Sequence, residues 1–332
     1  MPDTKKVAVI GSNSFSGSDF IDLLLEEKNY EVLGLSRSPE KNEIFLPYKR
    51  HHGSAFRFHA LDLNRHMKEI LGLLDAFRPD WIVNFATQSE VAPSWENPEH
   101  WFQTNCVAFS KLVNHLAGQN YLERYLHIST PDVYGNCRGA VLEDAPMNPS
   151  TPYAVSRAAQ DMFLKIMNQR SGFPVETVRA ANVYGAHQQL WKIIPRAVIY
   201  AKSGRKIPLH GGGFASRSFI HIRDVSRAEL AVLERGKIGA VYHLSTGENL
   251  EVREVVRRIC GALGCSFEAC TESVGDRPGS DLVYRLDTTR THGDLGWTPA
   301  MGLDEGIEEV IQWIHDSWDS IRTQSLEYAH TP

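Results

Sequence analysis

No stretch of this chain is both long and apolar enough to cross a bilayer; its apolar runs fall well short of the roughly 18 residues a span needs. A basic surplus is also missing. Lys and Arg number 35 against 40 Asp and Glu, a net charge of −5 with neutral histidines, which gives no electrostatic reason to bind nucleic acid. Cysteine is scarce: five residues, an odd count, with no CxxC pair. Cys260, Cys265 and Cys270 recur every five residues, outside the usual zinc spacings, and read as reduced thiols with no metal. Internal repeats and low-complexity segments are absent as well. The first apolar run, Val7-Ala8-Val9-Ile10, is too short for a signal peptide and reads as a buried strand, so the cytoplasm is the expected compartment.

What remains is a globular chain of 332 residues, enough for one large domain or two smaller ones. Apolar runs at Val7–Ile10, Glu31–Leu35, Phe56–Ala60, Trp81–Asn84, Tyr125–Ser129 and Val175–Arg179 predict strands. Amphipathic stretches at Phe15–Lys28, Arg65–Phe77, His100–Gly118 and Tyr153–Ser171 predict the helices between them. This alternation argues an α/β fold, a Rossmann-like doubly wound parallel sheet with ligand loops at the carboxyl ends of its strands. Beyond Arg179 Gly and Pro are denser, and helices are predicted at Trp191–Lys202, Val225–Glu234, Val252–Leu263 and Leu303–Ser317. The expected division is a dinucleotide-binding part over residues 1–180, with 217–245 returning to it, and a smaller mixed C-terminal substrate lobe over 181–332, with a cleft between them.

Val7-Ala8-Val9-Ile10-Gly11-Ser12-Asn13-Ser14-Phe15-Ser16-Gly17 has the strand–turn–helix context of a dinucleotide site. Gly11 allows the tight turn and Gly17 close helix–strand packing, and amides at the helix start can face a pyrophosphate. The middle position, usually glycine, is Ser14, whose hydroxyl could bond a phosphate or crowd it. After the second strand an NAD site would carry an acid for the ribose. Here stand Leu35-Ser36-Arg37-Ser38, with no acid before Glu40. An arginine between hydroxyls suits a 2′-phosphate, which favours NADP over the alternative, NAD. Asp62 could contact the adenine or cap the following helix.

Ser129-Thr130-Pro131-Asp132-Val133-Tyr134-Gly135 and Thr151-Pro152-Tyr153-Ala154-Val155-Ser156-Arg157 bring a hydroxyl, a carboxylate, a phenol and a cation within possible reach of one site. Tyr153 and Arg157 are one helical turn apart, so the cation should favour the phenolate and make Tyr153 a base near neutrality.

In order along the chain, the glycine loop, Asn84-Phe85-Ala86-Thr87-Gln88-Ser89, Thr104-Asn105, the Ser129–Gly135 run and Tyr153-xxx-Arg157 resemble the extended short-chain dehydrogenase/reductases, and within them the nucleotide-sugar 4,6-dehydratases acting on dTDP-glucose or GDP-mannose. The likeness continues through Arg179-Ala180-Ala181-Asn182-Val183-Tyr184-Gly185, Arg217-Ser218-Phe219-Ile220-His221, Asp276-Arg277-Pro278-Gly279 and Leu295-Gly296-Trp297. It implies that Tyr153 takes the C4 hydroxyl proton as hydride leaves C4, and that Thr130 bonds the same oxygen. Arg157 stands where the family has a lysine holding the nicotinamide ribose; it supplies charge but cannot relay a proton. Asp132 matches the carboxylate that takes the C5 proton. Pro131 stands where the dTDP-glucose type has an acid for the departing C6 hydroxyl.

For the cofactor the resemblance implies contacts from Gly11, Ser14, Phe15, Ser16, Gly17, Ser36, Arg37, Asp62, Leu63, Phe85, Ala86, Thr87, Tyr153 and Arg157. For the nucleotide-hexose substrate it implies Gln88, Ser89, Glu90, Asn182, Lys192, Arg217 and Arg277, with Asn105 supporting the site. Apolar residues on several faces around Trp101–Leu116 and Met162–Met167 match the family's four-helix dimer interface, so a homodimer is expected. The implied reaction is dehydration to a 4-keto-6-deoxy sugar. The alternatives are a nucleotide-sugar 4-epimerase or decarboxylase, or a non-catalytic nucleotide-sugar or NADP-binding protein.

Overall fold

Val7 and Val9 pack into one apolar core with Phe20, Leu24 and Val225, while Ala8 and Ile10 pack into another with Ile70, Leu112 and Val113. A strand buried on both faces has no polar alternation, which is why its sequence is a continuous apolar run. The computed structural model describes residues 4–137, 139–275 and 285–332.

The first half comprises β1 (Lys5–Ile10), α1 (Phe15–Glu27), β2 (Tyr30–Ser36), β3 (Phe56–Ala60), α2 (Met67–Phe77), β4 (Trp81–Asn84), α3 (Pro98–Phe102), α4 (Phe109–Leu116), β5 (Arg124–Ile128), β6 (Ala140–Val141), α5 (Pro152–Ser171) and β7 (Val175–Ala180). The second comprises β8 (Asn182–Tyr184), α6 (Ile193–Lys202), β9 (Ile207–His210), β10 (Ser216–Arg217), β11 (Phe219–His221), α7 (Ile222–Arg235), β12 (Val241–Leu244), β13 (Leu250–Glu251), α8 (Val252–Ala262), α9 (Phe267–Cys270), β14 (Thr271–Val274), β15 (Arg285–Leu286), α10 (Thr289–Leu295), α11 (Leu303–Asp316) and α12 (Trp318–Ile321).

The main sheet has seven strands in the order β12-β7-β5-β4-β1-β2-β3, all pairs parallel. β1 and β4 are neighbours, with Val7 opposite Trp81 and Ile10 opposite Asn84. The chain winds one way from β1 to β3 and the other way from β4 to β12, so the order reverses between β1 and β4, where doubly wound folds bind ligands.

β12, which no sequence pattern singled out, fills the sheet edge beside β7, and α7 lies against α1. The stretch predicted as one helix over His100–Gly118 is interrupted: a π-turn over Gln103–Ala108 joins α3 to α4. A second core is built on the packing of α6, α8 and α11, with Ile194, Val198, Val256, Ile259, Val310 and Ile314 at its centre. Among the described residues no helix is long and apolar enough to cross a membrane.

Candidate active site

The glycine loop sits at the switch point. Gly11 has φ +91°, and a Cβ there would stand 2.7 Å from the Ala86 amide nitrogen, so only glycine lets β1 turn beside the loop that follows β4. A Cβ on Gly17 would collide with the Gly11 carbonyl. The Ser14 hydroxyl caps α1 by accepting from the Gly17 amide at 3.0 Å, and its own proton remains free to donate. Phe15 and Ser16 are the other first-turn donors, and a helix leaves such amides unpaired within itself. Phe85 is bound to the end of β1 through its amide and the Ile10 carbonyl, 2.8 Å apart. These features form a cradle that fits a dinucleotide pyrophosphate.

At the end of β2, Asn13 Nδ2 donates to the Ser38 and Pro39 carbonyls at 3.0 and 2.8 Å and fixes the loop carrying Ser36 and Arg37. Arg37 lies near enough to Lys41, a residue that sequence reasoning passed over, for its charge to act on it. The Lys41 ammonium is held below its ordinary pKa, by desolvation first and by the Arg37 charge second. Arg37 Nη1 also donates to the C-terminal tail, 2.8 Å to the Thr331 carbonyl and 3.3 Å to that of Pro332. Gln88 Nε2 reaches the same Thr331 carbonyl at 2.7 Å. The tail is seated by His330, which stacks on Trp101 at a centroid distance of 5.0 Å. Asp62 does not cap α2: its Oδ1 accepts from the Asn64 amide at 2.7 Å in a local turn, and Leu63 beside it is buried.

The loop after β4 is held from beneath by Asn105, inside the π-turn. Its Oδ1 accepts from Thr87 Oγ1 and from the Gln88 amide, both at 2.9 Å, and its Nδ2 donates to Gln88 O and to Ser156 Oγ on α5. A π-turn of this kind re-aims one side chain out of helical register. Gln88 is buried and Ser89 exposed, and Glu90 forms an ion pair with Lys192 at 2.7 Å. Two residues expected to meet substrate separately thus meet each other across the cleft.

Thr130 caps a short 3₁₀ turn over Pro131–Tyr134, its Oγ1 accepting from the Asp132 amide at 3.2 Å. Thr151 caps α5 and accepts from the Ala154 amide at 3.1 Å, and the Tyr153 amide donates to Ser94 Oγ at 3.2 Å. The two caps aim Thr130, Asp132, Tyr153 and Arg157 into one space. The buried Tyr153 phenol is pushed up to about 12. Burial raises it most; Arg157 and a hydrogen bond with Thr130 lower it, and the Asp132 and Glu90 charges raise it. The expected activation by Arg157 is therefore present in sign but outweighed by desolvation. Arg157 is itself buried; its Nη2 donates to the Ile128 carbonyl, while its buried Nε has no protein partner. An orphaned guanidinium donor beside the cradle suits a ribose hydroxyl.

Asp132 is raised above the ordinary carboxylate value by desolvation, against the opposing charges of Arg217 and Arg157 and the hydrogen bond to Thr130. Arg217, expected among the nucleotide-binding cations, thus stands close enough to act on the acid. Asn182 spends its Nδ2 on the Ser218 carbonyl at 3.2 Å, where β8 runs beside β11. Arg277 lies outside the described residues.

A family model described as GDP-mannose 4,6 dehydratase matches residues 9–310. A dTDP-glucose 4,6-dehydratase from Streptomyces niveus is 33% identical over 248 residues, 74% of this chain and 73% of that protein. The Homo sapiens dTDP-D-glucose 4,6-dehydratase is 29% identical and covers 95% of this chain and 91% of its own length. Among solved structures, DesIV, a dTDP-glucose 4,6-dehydratase from Streptomyces venezuelae with NAD bound, superposes at TM-score 0.86 with 29% identity, over 95% of this chain and 98% of the other. With the strand order, the glycine cradle and the Thr130–Asp132–Tyr153 grouping, these matches establish that the chain belongs to the nucleotide-sugar 4,6-dehydratases of the extended short-chain dehydrogenase/reductase family.

Proposed function

We propose that this enzyme removes water from a nucleotide-activated hexose to give a 4-keto-6-deoxy sugar, with NADP as its preferred dinucleotide. The observation that carries the reaction is the convergence of Thr130, Asp132 and Tyr153 beside the dinucleotide cradle. Gly11 and Gly17 would admit the pyrophosphate to the Phe15 and Ser16 amides, and Arg157 would hold the nicotinamide ribose. A bound dinucleotide would supply a hydride acceptor at C4 and a hydride donor at C6; C5 would then regain a proton from solvent, balanced by release to solvent of the proton that Tyr153 takes from the C4 hydroxyl.

Tyr153 Oη takes the C4 hydroxyl proton as the phenolate, which Arg157 and the positive ring of a bound oxidised nicotinamide would together favour against desolvation, with Thr130 fixing the substrate oxygen. Once C4 is a ketone the C5 hydrogen is acidic, and Asp132 removes it. Pro131 has no proton to give, so Asp132 passes the same proton to the departing C6 hydroxyl, and water leaves. A carboxyl raised above its ordinary value holds that proton more readily than an exposed one, and Arg217 beside it keeps the ionised form accessible. An epimerase needs no acid at this position.

For NADP, the support is two neighbouring cations beyond β2, Arg37 and Lys41, with no acid between Leu35 and Glu40. The NAD bound by DesIV belongs to that relative and leaves NAD as the alternative here. A homodimer is supported by the outer face of α5, where Val155, Met162 and Ile166 are 41%, 55% and 57% exposed beside exposed Phe102 and Val107.

The test is incubation with a panel of nucleotide hexoses and NADP or NAD. A product lighter by one water and bearing a 4-keto group is the expected result; an isomer of unchanged mass or loss of carbon dioxide would overturn it.

A further inference from the structure

The substrate lobe carries a second constellation, away from the cleft. α8 ends at Ala262, Gly264 takes φ +69°, and the chain doubles back so that the Cys265 amide donates to the Cys260 carbonyl at 2.9 Å. Ser266 then caps the short α9 and receives the Cys270 amide on its carbonyl at 2.9 Å. A five-residue spacing that matches no common metal motif is thereby folded into a cluster: the three Sγ atoms of Cys260, Cys265 and Cys270 all lie within 4.8 Å of one another.

We propose that Cys260, Cys265 and Cys270 together bind one thiophilic d¹⁰ cation, of the zinc(II) or cadmium(II) class, with a solvent molecule or exogenous anion as fourth ligand. Three sulfurs each about 2.3 Å from one ion stand roughly 3.8–4.0 Å apart, so small side-chain rotations close the cage. An all-sulfur set selects soft cations and rejects magnesium and calcium. Among the described residues no His, Asp or Glu joins the three, which leaves the fourth position to a non-protein ligand.

A disulfide would use two sulfurs and strand the third. The thiols also disfavour one another's ionisation: Cys260, buried, is pushed up to about 12, first by desolvation and then by its two neighbours. A cation reverses that opposition, and its binding by three thiols releases three protons. The ion would tie the end of α8 to α9 and so to β14, which lies along β9 with Thr271 opposite Ile207.

Cadmium(II) is the probe, with zinc(II) in competition. The reduced full chain, titrated without chelator, should bind one cadmium with a thiolate-to-metal charge-transfer band in the ultraviolet and release three protons. Bound metal should protect Cys260, Cys265 and Cys270 from alkylation while leaving Cys106 and Cys137 as reactive as before. Cys265→Ser and Cys270→Ser, both at partly exposed positions, should each weaken binding about 100-fold or more, even if the variant at buried Cys260 fails to fold. Binding that both serine variants retain, binding without the charge-transfer band, or no binding by the reduced chain would overturn the proposal. So would rapid air oxidation of a pair of these thiols that metal does not prevent.

Discussion

Gln88 and Thr331 are joined across 243 positions of sequence by a 2.7 Å hydrogen bond from side-chain amide to main-chain carbonyl. The same carbonyl takes a donor from Arg37, so the tail engages one group expected at the dinucleotide, Arg37, and one expected at the sugar, Gln88. Removing the tail after Gln324 should free both donors. The expected outcome is a dinucleotide Kd lower by about 5- to 10-fold, the worth of one to two ordinary hydrogen bonds, read by fluorescence titration. A weaker Kd in the truncated chain would mean that the tail closes over bound dinucleotide instead of competing with it.

Tyr153→Phe and Asp132→Asn should fail at different steps. Without the phenol, turnover should fall by about 10²- to 10⁴-fold with nucleotide affinity nearly unchanged. Without the ionisable acid, C4 oxidation should persist, so reduced nicotinamide absorbance accumulates in a stopped-flow trace while no dehydrated product appears by mass. Loss of water at the normal rate in the Asp132→Asn variant would remove Asp132 from the elimination step.

Arg37→Ala and Lys41→Ala should separate the two dinucleotides. Loss of one charge-assisted contact to a 2′-phosphate should cost NADP about 10- to 100-fold in affinity and leave NAD within a few-fold. Equal losses for both dinucleotides would show that these cations read the shared part of the molecule, and the NADP preference would fall.

Glu229 is fully buried, neither of its carboxylate oxygens has a hydrogen-bond partner, and its pKa is held well above 4.5 by burial first and by Asp19 second. The folded chain therefore keeps a proton that the unfolded chain gives up. Stability is greatest below the unfolded value near 4.5 and declines as pH rises from there through the raised folded value. Glu229→Gln removes this slope. Its gain in Tm should be larger at about pH 8 than at about pH 5, by roughly 2–4 °C for each kcal/mol recovered. A gain independent of pH would assign the effect to packing.

The first half of the fold was legible because β1 and β4 are continuous buried apolar runs and α1 and α5 begin at the hydroxyl caps Ser14 and Thr151. β3 and β4 have their predicted bounds, and α5 starts within one residue of its predicted start. β12 escaped notice because Val241-Tyr242-His243-Leu244 is short and carries a histidine, which is buried beneath Tyr134 and held neutral, its pKa pushed down to about 3. The π-turn has no local signature either; Asn105 takes its position from the loop after β4, which only the folded chain brings near. The Tyr153–Arg157 pair was readable from spacing, but its electrostatic balance was not, since the desolvation that dominates it comes from surrounding elements. Arg37 was visible as a cation, whereas the Thr331 carbonyl it touches is 294 positions away.

β12 sits at the edge of the seven-stranded sheet beside β7, although every element from β8 to α7 comes between them in the chain. The polypeptide thus leaves the seven-stranded sheet after β7, builds β8 to α7, returns to complete the sheet with β12, and leaves again. No single cut can divide this protein into two pieces that each hold a whole sheet or a whole lobe.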